Sequence, residues 1–79
     1  MRILSIQSSV AFGHVGNSAA VFPLQRLGHE VIAVNTVHFS NHTGYGAWRG
    51  LVMDPAVIAE VIEGVADRDA LTGVDAVLT

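Results

Sequence analysis

The stretch Ser18-Ala19-Ala20-Val21-Phe22-Pro23-Leu24-Gln25-Arg26-Leu27-Gly28-His29-Glu30-Val31-Ile32-Ala33-Val34-Asn35 decides the fold. Its first half carries apolar residues at Ala19, Ala20, Phe22, Leu24 and Leu27, the surface of a helix that begins near Ser18 behind a cap at Gly16 or Asn17. Gly28 is a good stop just past the helix end. Pro23 removes one backbone donor and predicts a kink or an irregular first half. The second half, Glu30 to Asn35, is nearly continuous in apolar residues, as a strand covered on both faces is. Upstream, Ile3-Leu4-Ser5-Ile6 reads the same way and ends in the polar Gln7-Ser8-Ser9. The connection between the two runs is long enough for a right-handed crossover, so the strands are expected to lie parallel with a helix across them.

Working outward, a loop rich in Ser and Gly is expected from Gln7 to Gly16. Residues 36–50 turn to Thr, Ser, Asn, His, Gly and aromatics, which predicts an exposed excursion with short strands around Val37–Phe39 and Trp48–Val52. Asp54-Pro55 is a strong helix start, a carboxylate cap followed by proline in the first turn. Ile58, Val61, Ile62 and Val65 then recur at i, i+3, i+4 and i+7, with Glu60 and Glu63 off that stripe, which predicts an amphipathic helix packed by the stripe. Val74 to Thr79 reads as a third buried strand, on which the sequence stops. The order β-α-β-(excursion)-α-β is the opening half of a doubly wound α/β sheet. So apolar a composition in 79 residues suggests a piece of something larger or an obligate oligomer.

Composition excludes several classes. Half of the residues are apolar (51%) and 14% are charged, which is not the make-up of a disordered tail. Four Arg against seven acids, net −3, leave no basic stripe for nucleic acid. There is no Cys, hence no disulfide framework or thiol nucleophile. All four basic residues are Arg, so the chain supplies neither a phosphate-loop lysine nor a Schiff-base lysine. No apolar run approaches the ~18 residues of a membrane span, and the N-terminal run is too short for a secretory leader. A cytoplasmic location without membrane partners is expected.

Two stretches can carry chemistry. Gln7 to Ser18 follows the first strand and runs into a helix start, where open α/β sheets bind ligands. It is neither G-x-G-x-x-G nor a P-loop, and its pattern alone reads first as an ordinary βα turn, with Gly for tight geometry and Ser and Asn for capping. Asn35 to Gly46 combines Thr, Ser and Asn with two His and aromatics, a mixture suited to a flat heteroaromatic ligand bearing hydroxyl groups. It also reads as a polar surface loop. His38 and His42 at i, i+4 raise a metal site, but Gly44 and Gly46 oppose a continuous helix and no acid or thiol stands nearby in sequence. Ser8 or Ser9 with a His has no G-x-S-x-G elbow around it.

Three strings go further. Leu4-Ser5-Ile6-Gln7-Ser8, Gly16-Asn17-Ser18-Ala19-Ala20-Val21-Phe22-Pro23-Leu24-Gln25-Arg26-Leu27-Gly28 and Phe39-Ser40-Asn41-His42-Thr43-Gly44-Tyr45 resemble pyridoxal kinase, a ribokinase-like family. Ala33 to Val37 and Asp75 to Thr79 fit as well, so the resemblance spans the chain. It implies transfer of the ATP γ-phosphoryl group to the 5′-hydroxyl of pyridoxal, pyridoxine or pyridoxamine, with Mg²⁺ and a monovalent cation such as K⁺. It also implies a ribokinase-type sandwich, commonly a homodimer. By the same resemblance Ser8 and Thr43 hydrogen-bond the pyridine ring or its substituents, and Val15, Val37, Phe39 and His42 line the same pocket.

Ser9 stands where the family usually has His, His38 where it has Gln, and Ala47 and Arg49 replace commoner polar residues. Ser9 therefore questions a ring contact made by that His. The family's ATP site, Mg²⁺-associated acids and catalytic Asp all lie beyond residue 79, so 1–79 reads as the N-terminal portion of a single kinase domain, inactive alone. The rival readings are another ribokinase-like vitamin kinase, such as one acting on hydroxymethylpyrimidine, a truncated non-catalytic binding fragment, and a generic dinucleotide-binding domain.

Overall fold

A computed structural model describes all residues, 1–79. Strand β1 (Arg2–Phe12) leads to helix α1 (Asn17–Arg26) and strand β2 (Glu30–Asn41). A single 3₁₀ turn (Thr43–Tyr45), a short strand β3 (Gly50–Val52), helix α2 (Pro55–Asp67) and strand β4 (Ala76–Leu78) follow. The four strands form one sheet in the order β3-β2-β1-β4. β2 and β4 both run parallel to β1, and β3 is an antiparallel edge on β2. Because β2 and β4 flank β1 on opposite sides, right-handed crossovers put α1 and α2 on opposite faces.

The two central strands are longer than the apolar runs predict. The expected loop from Gln7 belongs to β1 as far as Phe12, and only Gly13 to Gly16 turn the chain. β1 continues because its polar residues find partners. One edge pairs with β2 through Phe12–Asn41. On the other edge, beyond the reach of β4, the Ser18 hydroxyl receives the Val10 N–H (3.0 Å) and donates to the Val10 carbonyl (2.9 Å). β2 likewise runs on to Asn41, so Val37–Phe39 are part of it and not a separate strand. β3 and its flanks supply the partners: Met53 N–H to Thr36 C=O at 3.0 Å and Ser40 N–H to Arg49 C=O at 2.7 Å. Within Trp48–Val52 the strand is Gly50–Val52, and the final strand is Ala76–Leu78.

Helix α1 ends as its sequence dictates. Gly28 takes φ +92°, its N–H reaches Gln25 C=O (2.9 Å) and the His29 N–H reaches Leu24 C=O (3.0 Å), the paired bonds of a Schellman stop. The helix runs unbroken through Pro23, and Ala19, whose carbonyl loses its donor, is exposed. Its inward face is Asn17, Ala20, Val21 and Leu24, whereas Phe22 and Leu27 lie on the surface. Helix α2 starts behind Asp54, whose carboxylate accepts the Ala56 N–H at 2.8 Å. Ile58, Ile62 and Val65 of its stripe are half-buried, while Val61 is exposed.

Only six of the 79 residues are buried, among them Ile3, Leu4, Val10 and Val34. The molecule is a slab of 40 × 31 × 15 Å with 5200 Å² of accessible surface, against about 4600 Å² for a compact globule of this mass. No helix is long and apolar enough to cross a membrane.

Candidate functional site

Side chains alternate between the two faces of a strand, so a one-residue slip in pairing moves a whole set to the other face. Such a slip occurs midway along β1 and β2. Up to Gln7–Asn35 the register is even; it resumes at Ser9–His38, so Ser8 stands opposite two residues, Thr36 and Val37. This bulge reverses the parity of β2. Without it Val37, Phe39 and Asn41 would share the face of Ser5, Gln7 and Ser9. With it they join Ser8 and Val10.

The face of Ser5, Gln7 and Ser9 belongs to α1. Asn17, only 5% exposed, enters there from the first turn of the helix. Its Oδ1 accepts from Ser5 Oγ (2.7 Å), and its Nδ2 donates to Val34 C=O (3.1 Å) and Asn35 Oδ1 (2.9 Å). Gln7 Nε2 completes the network by donating to Ser5 Oγ at 2.9 Å. Asn17 is therefore not a cap: the cap position is Gly16, which has no side chain to offer, and the carboxamide locks α1 to both strands next to the bulge.

On the opposite face a cavity of ≈ 190 Å³ is lined by Ser8, Val10, Val15, Val37, Phe39, Asn41, His42 and Thr43. All six residues singled out from the sequence meet in it: Ser8 from β1, Val15 from the loop before α1, Val37 and Phe39 from β2, and His42 and Thr43 from the start of the 3₁₀ segment. Sequence reasoning missed Val10 and Asn41. Each lies two residues along the strand from a residue it named, Ser8 and Phe39, and a full-length strand assignment would have found both. The volume is below the ~300–1000 Å³ of a complete small-molecule site. The lining is half apolar wall and half neutral hydrogen-bonding group, with no Lys, Arg, Asp or Glu.

Two glycines shape this site. Gly16 has φ +53° and ψ −130°, a conformation for glycine, and a methyl group on it would overlap the carbonyl and hydroxyl oxygens of Ser8. At Gly44 a methyl would come within 2.5 Å of His42 Nδ1. That nitrogen accepts the Gly44 N–H at 2.7 Å, so His42 caps the turn and holds its remaining proton on Nε2, free to donate. Phe39 is tilted against Trp48 (6.0 Å between centroids) and Phe12 against Tyr45 (6.3 Å), which flank the loop with aromatic contacts.

Ser9 and His38 are register partners on the α1 side and do not line the cavity. Ser9 Oγ lies 3.3 Å from Ser18 Oγ, so the residue that differs from the family pattern makes a contact with α1. No three His, Asp or Glu side chains come together as a metal-holding group.

No family model matches the chain. It is 66% identical over all 79 residues to the pyridoxal kinase PdxY of Leifsonia xyli subsp. xyli, of which it covers 28%. It is 67% identical to that of Rubrobacter xylanophilus, covering 27%. Among solved structures, pyridoxal kinase from Leishmania donovani in complex with ADP and pyridoxine matches with a TM-score of 0.94 and 47% identity, over 99% of this chain and 26% of that one. Pyridoxal kinase of Entamoeba histolytica with PLP matches with a TM-score of 0.91 at 25% identity, over 96% of this chain and 28% of the other. The chain spans little more than a quarter of the length of these relatives, and corresponds in sequence and fold to the N-terminal part of ribokinase-like pyridoxal kinases.

Proposed function

We propose that these residues are the N-terminal part of a pyridoxal kinase and form one wall of its vitamin pocket. The whole enzyme would transfer the ATP γ-phosphoryl group to the 5′-hydroxyl of pyridoxal, pyridoxine or pyridoxamine. The observation that carries this reading is the meeting of Ser8, Val15, Val37, Phe39, His42 and Thr43 around one neutral, half-apolar cavity, in a chain that matches pyridoxal kinases from end to end.

The chemistry of that wall suits a pyridine ring. Val15, Val37 and Phe39 offer apolar contact to its faces and edges. Ser8 and Thr43 offer hydroxyls that both donate and accept, and so can follow a ring nitrogen or a phenolic oxygen in either protonation state. The His42 Nε2–H adds a directed donor. Phosphoryl transfer itself rests on positioning and electrostatic stabilisation. ATP, Mg²⁺ and a monovalent cation such as K⁺ would complete the reaction in the whole enzyme, with their sites proposed to lie beyond residue 79. The slab shape and scant burial support residues 1–79 as a portion of one domain; a cytoplasmic homodimer completes the proposal.

The test is ATP-dependent formation of pyridoxal 5′-phosphate by an intact protein carrying this sequence, with hydroxymethylpyrimidine as competing substrate. Turnover of the B6 vitamers is expected. Turnover of hydroxymethylpyrimidine in preference to them would overturn the assignment.

A further inference from the structure

Asn41 lines the cavity, yet its carboxamide has little left to give a ligand. Its Nδ2 donates to the His42 carbonyl at 3.1 Å and to the Ala47 carbonyl at 2.9 Å, which uses both hydrogens. Its Oδ1 accepts from Ser40 Oγ at 2.6 Å. Ser40 Oγ is itself the acceptor of the Arg49 N–H at 3.1 Å, so the serine proton points to Asn41 and fixes which way round the carboxamide sits. The two carbonyls stand on either side of the 3₁₀ turn, His42 before it and Ala47 after it. One side chain at the end of β2 thus ties down both ends of the loop that carries Thr43. Burial does little to hold this loop: every residue from His42 to Arg49 is exposed, and its packing is limited to the tilted ring contacts of Tyr45 with Phe12 and Trp48 with Phe39. A segment with so few buried contacts opens readily unless specific bonds hold it.

We propose that Asn41 is a positioning residue for the vitamin site. It does not bind the ring; it holds the Thr43 hydroxyl and the His42 ring against β1, so that one small heteroaromatic ligand reaches them and Ser8 together. The inference rests on the pyridoxal kinase reading of the cavity.

Asn41→Asp in an intact protein carrying these residues is the test. The variant is isosteric and keeps the acceptor, but it sets an oxygen against two carbonyls. The KM for pyridoxal is expected to rise by about tenfold or more, while the affinity for ATP measured without vitamin stays within about twofold. Amide exchange at Gly44 and Gly46 should accelerate in the ligand-free protein, with α1 and α2 unchanged. The decisive measurement is the double variant with Thr43→Val. If Asn41 acts through the loop, the loss caused by Thr43→Val shrinks in the Asn41→Asp background, because the hydroxyl is already misplaced. Should Asn41→Asp fail to fold, Ser40→Ala removes the group that orients the carboxamide and is expected to give the same pattern with a rise of roughly two- to fivefold. Additive losses, or a wild-type KM in the folded variants, overturn the role of Asn41. If Thr43→Val alone leaves vitamin affinity unchanged, the vitamin-wall reading falls and this inference with it; if that loss is present but additive, only the Asn41 role falls.

Discussion

Gly16→Ala tests the construction of the site at its tightest point. Gly16 sits at φ +53° and ψ −130°, and its missing side chain leaves the room occupied by Ser8 C=O and Ser8 Oγ. Alanine brings two separate costs. Holding a non-glycine residue in that backbone region costs about 1–3 kcal/mol. Relieving the overlap with Ser8 costs about another 1–3 kcal/mol, since either β1 or the start of α1 has to shift. A loss of roughly 2–6 kcal/mol in stability follows. The second consequence is functional. Of the two overlapping atoms only the Ser8 hydroxyl can swing away; the carbonyl belongs to the strand backbone, so its overlap is left to a shift of β1 or α1. On the proposed reading of the cavity, a displaced hydroxyl leaves a ring group of the vitamin without its partner, which costs about 1–3 kcal/mol, or roughly 5- to 150-fold in affinity.

The assay uses an intact protein carrying residues 1–79, with thermal melting, KM for pyridoxal and ATP affinity measured in parallel. Ser8→Ala should weaken pyridoxal binding while leaving the melt nearly unchanged. Gly16→Ala should lower both. The double variant should melt above Gly16→Ala, since one of the two overlaps is gone, yet bind pyridoxal no better than Ser8→Ala. A Gly16→Ala protein with wild-type melting and wild-type KM would refute the argument that this glycine places Ser8.

Three further outcomes are expected. Thr43→Val keeps the shape of the loop but removes its hydroxyl, so pyridoxal affinity should fall by about 1–3 kcal/mol with ATP affinity unchanged; equal losses for both ligands would point to a folding defect. Asn17→Asp should destabilise by about 2–4 kcal/mol, because it sets a carboxylate against Val34 C=O and Asn35 Oδ1 at a buried position, and the ~0.3–1 kcal/mol gained at a helix N-terminus does not offset that; a variant as stable as Asn17 would refute the network. The isolated 79-residue chain should show no phosphorylation of pyridoxal above background and should self-associate or melt without cooperativity, since its 5200 Å² surface exposes Phe22, Leu27 and Leu51; a monomer by sedimentation with a sharp, concentration-independent melt would contradict this.

The helix boundaries were legible because their signals are local. Asp54-Pro55 opens α2 and Gly28 closes α1 through bonds among neighbours in sequence, and the parallel crossover follows from two apolar runs and the distance between them. The strand ends were not legible, for the same reason reversed. Gln7 to Val10 look like loop, and Thr36 to Asn41 like an excursion with a separate short strand at Val37–Phe39, because polar residues interrupt both stretches, but that polarity serves partners distant in sequence: Asn17 and Ser18 on one face, the cavity on the other. A strand that carries a site departs from the apolar pattern at the very residues that make the site. The bulge is harder still to read. Nothing in Thr36-Val37 announces it, because it is a property of the pairing with Ser8 and not of either strand. Yet it alone decides that Val37, Phe39 and Asn41 face the same way as Ser8. The six site residues could therefore be named from a family resemblance but not assembled from spacing, since an unbulged register would have sent Val37 and Phe39 to the α1 side. Asn17, bonded to Val34 and Asn35 on the last two residues before the slip, is where the sequence holds that register in place.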